Sequence, residues 1–315
     1  RCLHEIKHWG QSNKEEEKKD PEQIQLLNQT WVQLYLDLFA IAAVGSSDSL
    51  VIAAFDALNN LARSQDKGFF IEQGNLQQFC TQVLIPCSGL SEEDIDLFAT
   101  NRLEYFNKDI EGLEMETKRR SAYTLLRTLG RTFREELNAI FLQICQQLME
   151  EYSKNPQESW TKMDTAMFIM NVIIAKTTLL QRGVTAIIDG FDLSSFINSF
   201  ILPALNSGHQ ILQADAIKFL VDYRNVMEPQ IIVAIFPLII SMLVDQDNCT
   251  TLYAAYFIDR ILLCKQFEAA AVVFQQVDVG RVIQRLINMF YIDGVANVIA
   301  PRCLLQIIVK CGPAL

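Results

Sequence analysis

The stretch Gln210–Leu263, QILQADAIKFLVDYRNVMEPQIIVAIFPLIISMLVDQDNCTTLYAAYFIDRILL, decides the fold. It reads as helix, turn, helix, turn, helix, with no alternation that would mark a strand. In the first helix Asp215, Lys218, Asp222 and Asn225 recur at three- and four-residue steps, so one thin polar stripe runs down an otherwise apolar cylinder. A helix covered to that extent needs neighbours on both sides. Met227-Glu228-Pro229 ends it, because proline lacks the N–H that would continue the ladder and disfavours helical geometry in the residue before it. Pro229 then suits the first turn of the next helix, Gln230 to Val244, which is almost wholly apolar. Asp245 to Asn248 form the following turn, and Thr250 or Thr251 is placed to cap the third helix. Buried helix pairs that follow one another without pause are the signature of a stacked helical array.

Half of the 315 residues are hydrophobic, which is ample for a core. That length ordinarily divides into two domains, but in an array each repeat touches only its neighbours and the count does not apply. Residues 1–315 are therefore expected to form one continuous all-α, HEAT-type array of antiparallel helix pairs, a central piece of a longer chain, since it opens at Arg1 inside a helical pattern. The formal net charge of -10 and pI of about 4.9 lack the basic face that a nucleic-acid binder needs. The acidity serves solubility and attraction to basic partners equally well. The longest apolar run, Ile231 to Val244, contains Pro237 and Ser241 and falls short of the roughly 18 residues of a membrane span. No membrane partner is expected. None of the eight cysteines forms a CxxC pair, and free buried thiols in a reducing compartment are the simplest reading.

Along the chain, Arg1 to Trp9 reads as the end of a helix, and QSNKEEEKKD (Gln11–Asp20) as a charged connector. After Pro21, Ile24, Leu27, Trp31, Leu34, Leu38 and Ile41 form one apolar helical face. Helices are expected over 49–64, 75–86, 114–133, 135–152, 160–178, 191–206, 280–292 and 297–310, with a connector over 181–190. Residues 89–116 are expected to be a less regular, acidic inter-repeat segment, in which Ser91-Glu92-Glu93-Asp94 resembles a capping box with an acidic first turn. An apolar-apolar-Pro triplet recurs as Leu84-Ile85-Pro86, Ile201-Leu202-Pro203 and Ile235-Phe236-Pro237. The last two prolines lie 34 residues apart and the first two 117 apart, roughly three repeats of a length near 40.

His4-Glu5-Ile6-Lys7-His8 matches HExxH, which on a helix would put two zinc-ligating histidines one turn apart. The helix stops at Gly10, and His209, the one remaining histidine, is far along the chain. A zinc hydrolase is thus the weakest reading, and no cofactor, metal or catalytic residue is assigned. No phosphate-cradling glycine loop or nucleophile elbow is present. The candidate site is for a protein partner. It comprises Glu92, Glu93, Asp94, Asp96, Asp109, Glu111, Glu114 and Glu116, followed by Arg119 and Arg120. Solvated helix faces and an ordinary connector are the competing explanation for this charge.

Four segments resemble the importin-β superfamily of nuclear transport receptors, and most closely its CAS-type exportin branch. EYFNKDIEG (Glu104–Gly112), running on to TKRRSA (Thr117–Ala122), is similar to that branch's EYIRRDLEG and TRRRAA pattern. Asn155-Pro156 with Trp160 and Lys162-Met163-Asp164 is similar to its NP, W and KD turn. LQADAIKF (Leu212–Phe219) with Tyr223-Arg224-Asn225, and TLYAA (Thr251–Ala255) with Asp259-Arg260, follow in the family's order. Asn107-Lys108 stands where the family shows two basic residues, and Lys118 where it shows arginine. The resemblance implies a HEAT-repeat receptor that binds importin-α cooperatively with the GTP form of Ran and returns importin-α to the cytoplasm. That would be a monomeric, non-enzymatic protein shuttling between nucleus and cytoplasm. The alternatives are a HEAT scaffold for another complex and a different import or export receptor of the superfamily.

Overall fold

The computed structural model describes residues 48–63, 75–110, 117–179, 181–264 and 277–312, with Thr30, Leu34, Asp37, Phe70 and Phe274 besides. Apart from Thr30, Leu34 and Asp37, the expected helix after Pro21 lies outside the described residues, as do the HExxH motif, Cys2, and Glu111, Glu114 and Glu116. In chain order the elements are α1 (Asp48–Arg63), α2 (Asn75–Phe79), α3 (Ile85–Ser88), α4 (Glu92–Thr100), α5 (Arg102–Asp109), α6 (Lys118–Leu129), α7 (Arg134–Lys154) and α8 (Trp160–Ile173). Then come β1 (Ala175–Leu179), β2 (Gly183–Ile187), α9 (Leu193–Phe196), α10 (Leu202–Leu205), α11 (Gln210–Asp222), α12 (Pro229–Asp245), α13 (Cys249–Leu262) and α14 (Val279–Asn288). Last come β3 (Tyr291–Ile292), β4 (Val295–Ala296) and α15 (Ile299–Cys311). The chain forms two compact units, residues 1–89 with 116–148, and residues 90–115 with 149–315.

In the first unit α1 and α3 pack on α6. Val51, Phe55 and Leu58 are buried there, as are Ala122, Leu125 and Leu129. Phe70 meets Phe79 and Phe133, each at 6.1 Å between ring centroids. In the second unit α13 is the hub, packing on α5, α11, α12 and α15. Thirteen of its fourteen residues are buried. The opening stretch behaves as read: α11 has α8 on one side and α13 on the other, and nine of its thirteen residues are buried. The start of the third helix of that stretch differs in detail. Asn248, not a threonine, is the N-cap of α13, with its N–H donating to Thr251 Oγ1 at 3.3 Å.

Two prolines of the recurring triplet share a local structure. Helical segments of five residues, Cys80–Leu84 and Ile197–Ile201, are widened to i→i+5 hydrogen bonding and end two residues before Pro86 and Pro203. Ile85 donates to the Cys80 carbonyl and Leu202 to the Ile197 carbonyl. A proline ring collides with the carbonyl four residues back in a regular helix, and a widened turn moves that carbonyl aside. Pro237 sits in the regular helix α12 instead.

Three sequence expectations are corrected. The helix over 160–178 ends at Ile173, and β1 and β2 form an antiparallel hairpin through the expected helix end and connector. The run Thr177-Thr178 and the Val184-Thr185 pair favour strands. The helix over 280–292 ends at Asn288, and Tyr291-Ile292 pairs with Val295-Ala296. Asp293 and Gly294 both have positive φ, 51° and 80°, so Asp-Gly makes the tight hairpin turn it favours. Finally, residues 89–116 carry two regular helices, α4 and α5.

Gly183 opens β2 at φ 73°, and a Cβ there would stand 2.3 Å from the Asp222 carbonyl oxygen. Gly190, at φ 77°, has nothing within 4 Å of that position. Gly183→Ala is therefore expected to cost ~2–4 kcal/mol, through backbone collision and strain, against about 1 kcal/mol for Gly190→Ala. Urea unfolding of both variants checks this, and equal costs would show that the hairpin does not press on α11.

Candidate partner-binding site

The expected site residues fall into distinct environments. Ser91 caps α4: its Oγ accepts from the Asp94 N–H at 3.1 Å and donates to Asp94 Oδ2 at 2.9 Å. Glu92, Glu93 and Asp96 are exposed on the same short helix. Carboxylates in a first turn face the positive end of the helix dipole. Asp94 turns inward, where Lys108 Nζ on α5 meets its Oδ1 at 2.7 Å. Burial by itself pushes the Asp94 carboxyl up. The Lys108 ammonium and the Ser91 hydroxyl and amide outweigh it and hold the group below the usual carboxylate range.

Asp109, the last residue of α5, is engaged inside the second unit. Lys218 Nζ on α11 donates to Asp109 Oδ1 at 2.5 Å and to the Asp109 carbonyl at 3.0 Å. The Tyr253 hydroxyl on α13 donates to Asp109 Oδ2 at 2.7 Å. Burial, with the carboxylate beside it, raises the Tyr253 phenol well above its ordinary value, so it stays a donor. The ring of Phe106 stands edge-on to Tyr253 at 5.1 Å and to Tyr256 at 6.1 Å. Lys218 was legible as part of a polar stripe, but its partner, 109 positions away, was not.

The rest of the stripe is used in the same way. Asn171 Nδ2 on α8 donates to Asp222 Oδ2 at 2.7 Å, and Asn225 Nδ2 donates to the Arg182 carbonyl. Arg224, 2% exposed, donates to the carbonyls of Val221 at 2.6 Å and Gln181 at 2.7 Å. It thereby ties the turn of the β1–β2 hairpin to the end of α11. Sequence reasoning missed a second node. Asp247 Oδ1 accepts from Arg102 on α5 at 2.7 Å and from Arg285 on α14 at 2.9 Å. Arg285 also donates to the Leu243 and Gln246 carbonyls, at 3.1 and 2.5 Å, satisfying the open C-terminus of α12.

Arg119 and Arg120 lie in the first turn of α6, in the first unit. Arg119 is half-buried and Arg120 exposed. The Thr117 hydroxyl caps this helix, accepting from the Arg120 N–H at 3.0 Å. The Arg120 guanidinium lies 5.4 Å from the Tyr123 ring centroid.

Of the expected site, then, Glu92, Glu93, Asp96 and Arg120 remain turned outward, while Asp94 and Asp109 hold helices together. None of the seven described cysteines is in a disulfide, and burial pushes the thiols of Cys80 and Cys145 up to about 12. No helix among the described residues is long and apolar enough to cross a membrane.

The family model Cse1 matches residues 6–258. The chain belongs to the Cse1 family. Exportin-2 of Oreochromis niloticus is 30% identical over 219 residues, covering 68% of this chain and 23% of that protein. Exportin-2 of Mus musculus matches with the same identity and coverage, and that of Drosophila melanogaster is 29% identical over 235 residues. The solved exportin Cse1 in its cargo-free, cytoplasmic state superposes with a TM-score of 0.77 at 21% identity, over 89% of this chain and 30% of that one. This Cse1-family chain thus has the HEAT-repeat solenoid fold read from its helix pattern. It spans about a quarter of the length of these relatives, 23% to 24%.

Because Asp94 is held below its unfolded value, it contributes stability above that value and loses the contribution as pH falls through the folded one. The stability difference between wild type and Asp94→Asn is expected to be constant from about pH 7 to 5 and to shrink below about pH 4. A difference that widens on acidification would contradict the pairing. At the larger node, Asp109→Asn is expected to cost ~1–3 kcal/mol and Tyr253→Phe about 1 kcal/mol. A double-mutant cycle of Asp109→Asn with Lys218→Met tests whether the pair is coupled, and additivity would argue against it.

Proposed function

We propose that this chain is a segment of the continuous HEAT array of a nuclear export receptor. In this reading the receptor binds importin-α together with Ran-GTP and returns importin-α to the cytoplasm. The family match over residues 6–258 carries the reading. It acts by binding, as a shuttling protein, and catalyses no reaction. A solenoid lacks one rigid core, because each repeat contacts only its neighbours. Its curvature then changes at low cost, and two ligands that favour the same curvature bind cooperatively. The net charge of -10 speeds encounter with basic partners. Within the candidate site, the outward carboxylates Glu92, Glu93 and Asp96 are the residues we assign to partner contact, with Arg119 and Arg120 on α6 as a separate basic element.

The test measures the affinity of the full-length parent for importin-α with Ran in its GTP and GDP forms. GTP-Ran is expected to tighten binding at least tenfold, a coupling of about 1.4 kcal/mol. Glu92→Lys/Glu93→Lys/Asp96→Lys is expected to weaken partner association and flatten its salt dependence. Binding that ignores the nucleotide would leave the fold standing and remove the cargo assignment.

A further inference from the structure

Of the eleven large apolar side chains exposed among the described residues, seven lie between Ile287 and Val309, so this exposure is concentrated at α14, α15 and the turn between them. Contiguous exposed apolar surface marks a place where something docks. The order of the helices indicates what. α8, α11, α13 and α15 form a ladder, in which α11 packs on α8 and α13, and α13 on α11 and α15. The two middle members are accordingly apolar on both sides, with nine of thirteen and thirteen of fourteen residues buried. α15 has the same two-sided pattern with one side filled. Ala300, Cys303, Ile307 and Cys311 recur at three- and four-residue steps and are buried, where the helix meets α13 and α14. A second stripe runs along the far side, where Pro301 is exposed and Leu305, Ile308 and Val309 are 56%, 54% and 58% exposed. No charge interrupts that stripe, and α15 holds no acidic residue.

In a stacked array a terminal helix needs a polar outer face, and a helix that is apolar on both sides is an internal one. α15 is therefore not built as a cap. We propose that the stripe of Pro301, Leu305, Ile308 and Val309 is the docking surface for a further helix of the same polypeptide, which packs on α15 as α15 packs on α13. The occupant is an amphipathic helix with an aliphatic stripe and no charge turned towards α15. Size argues for a tethered occupant. The thirteen residues of α15 make a helix ~20 Å long, and one stripe ~10 Å wide covers roughly 200 Å², about a quarter of the ~800 Å² per partner of a stable complex between separate molecules. A helix already joined to the chain is spared most of the entropy lost on association. The solved Cse1 relative, of which this chain covers 30%, has ample chain to supply such a helix. The proposal rests on the reading of this chain as a segment of a continuous array, and not on the cargo.

The test is maleimide labelling of the purified full-length parent, read peptide by peptide by mass spectrometry so that the native cysteines are told apart. The variants are Leu305→Cys, Ile308→Cys and, as a reference at an exposed turn before α8, Glu158→Cys. Labelling at positions 305 and 308 is expected to be at least about tenfold slower than at 158, which requires the cover to be in place roughly nine-tenths of the time, and to reach the reference rate in urea. Reaction at the reference rate in the folded parent would overturn the proposal and leave the stripe to a separate molecule. Slow labelling that is lost on dilution would assign the stripe to a second copy and overturn it as well. Should either substitution unfold the parent, Val309→Cys probes the same stripe. Failure here leaves the Ran-dependent affinity for importin-α untouched, and failure of that affinity leaves this labelling pattern in place, so the two readings are judged separately.

Discussion

Both oxygens of the Asp109 carboxylate are taken, one by Lys218 and the other by Tyr253, and the packing of the second unit depends on this arrangement. The three side chains stand on α5, α11 and α13. An eight-residue helix such as α5 has little stability of its own. Its position is set by the carboxylate at its end and by Phe106 packed edge-on against Tyr253 and Tyr256. A half-buried charged group is most stable when its lone pairs are filled, so the node favours one register between the three helices. The segments that carry the family resemblance, EYFNKDIEG, LQADAIKF and TLYAA, are the ones that meet here. Their shared pattern is largely the chemistry of helices locking onto one another.

The same logic runs along the rest of the unit. Asn171 with Asp222, Arg224 with the hairpin turn, and Arg285 with the carbonyls of α12 each fill a polar group that packing would otherwise strand. Each also crosses from one element to the next. In a stacked array the apolar contacts between neighbouring helices are broadly interchangeable, since leucine and isoleucine surfaces fit one another in several registers. Directional hydrogen bonds select among those registers.

Surface charge follows from this division. Where a charged residue has an internal partner, as Asp94 and Asp109 do, it is engaged within the unit, and at Asp94 the partner also holds the carboxyl below its ordinary range. Where it has none in reach, as at Glu92, Glu93 and Asp96, its field extends into solvent and contributes to steering. A run of acidic residues therefore mixes two populations with different roles, and charge counting along the chain does not separate them.

The sequence by itself determined the helical class, the tight covering of α11 on two sides, the break at Pro229 and the Ser91–Asp94 cap, because these depend on periodicities and local backbone preferences. It also carried the family, through segments spread over half the chain. The hairpin at Thr177 to Thr185 was written in β-branched residues but obscured by the apolar run before it. The Asp293-Gly294 turn was a readable signal that a helical reading passed over. What only the tertiary structure decided is pairing across distance: which of the acidic residues meets Lys108, Lys218, Arg102 or Arg285. Such contacts join residues tens to more than a hundred positions apart. Their energies depend on the burial and direction of single atoms, which no local pattern records.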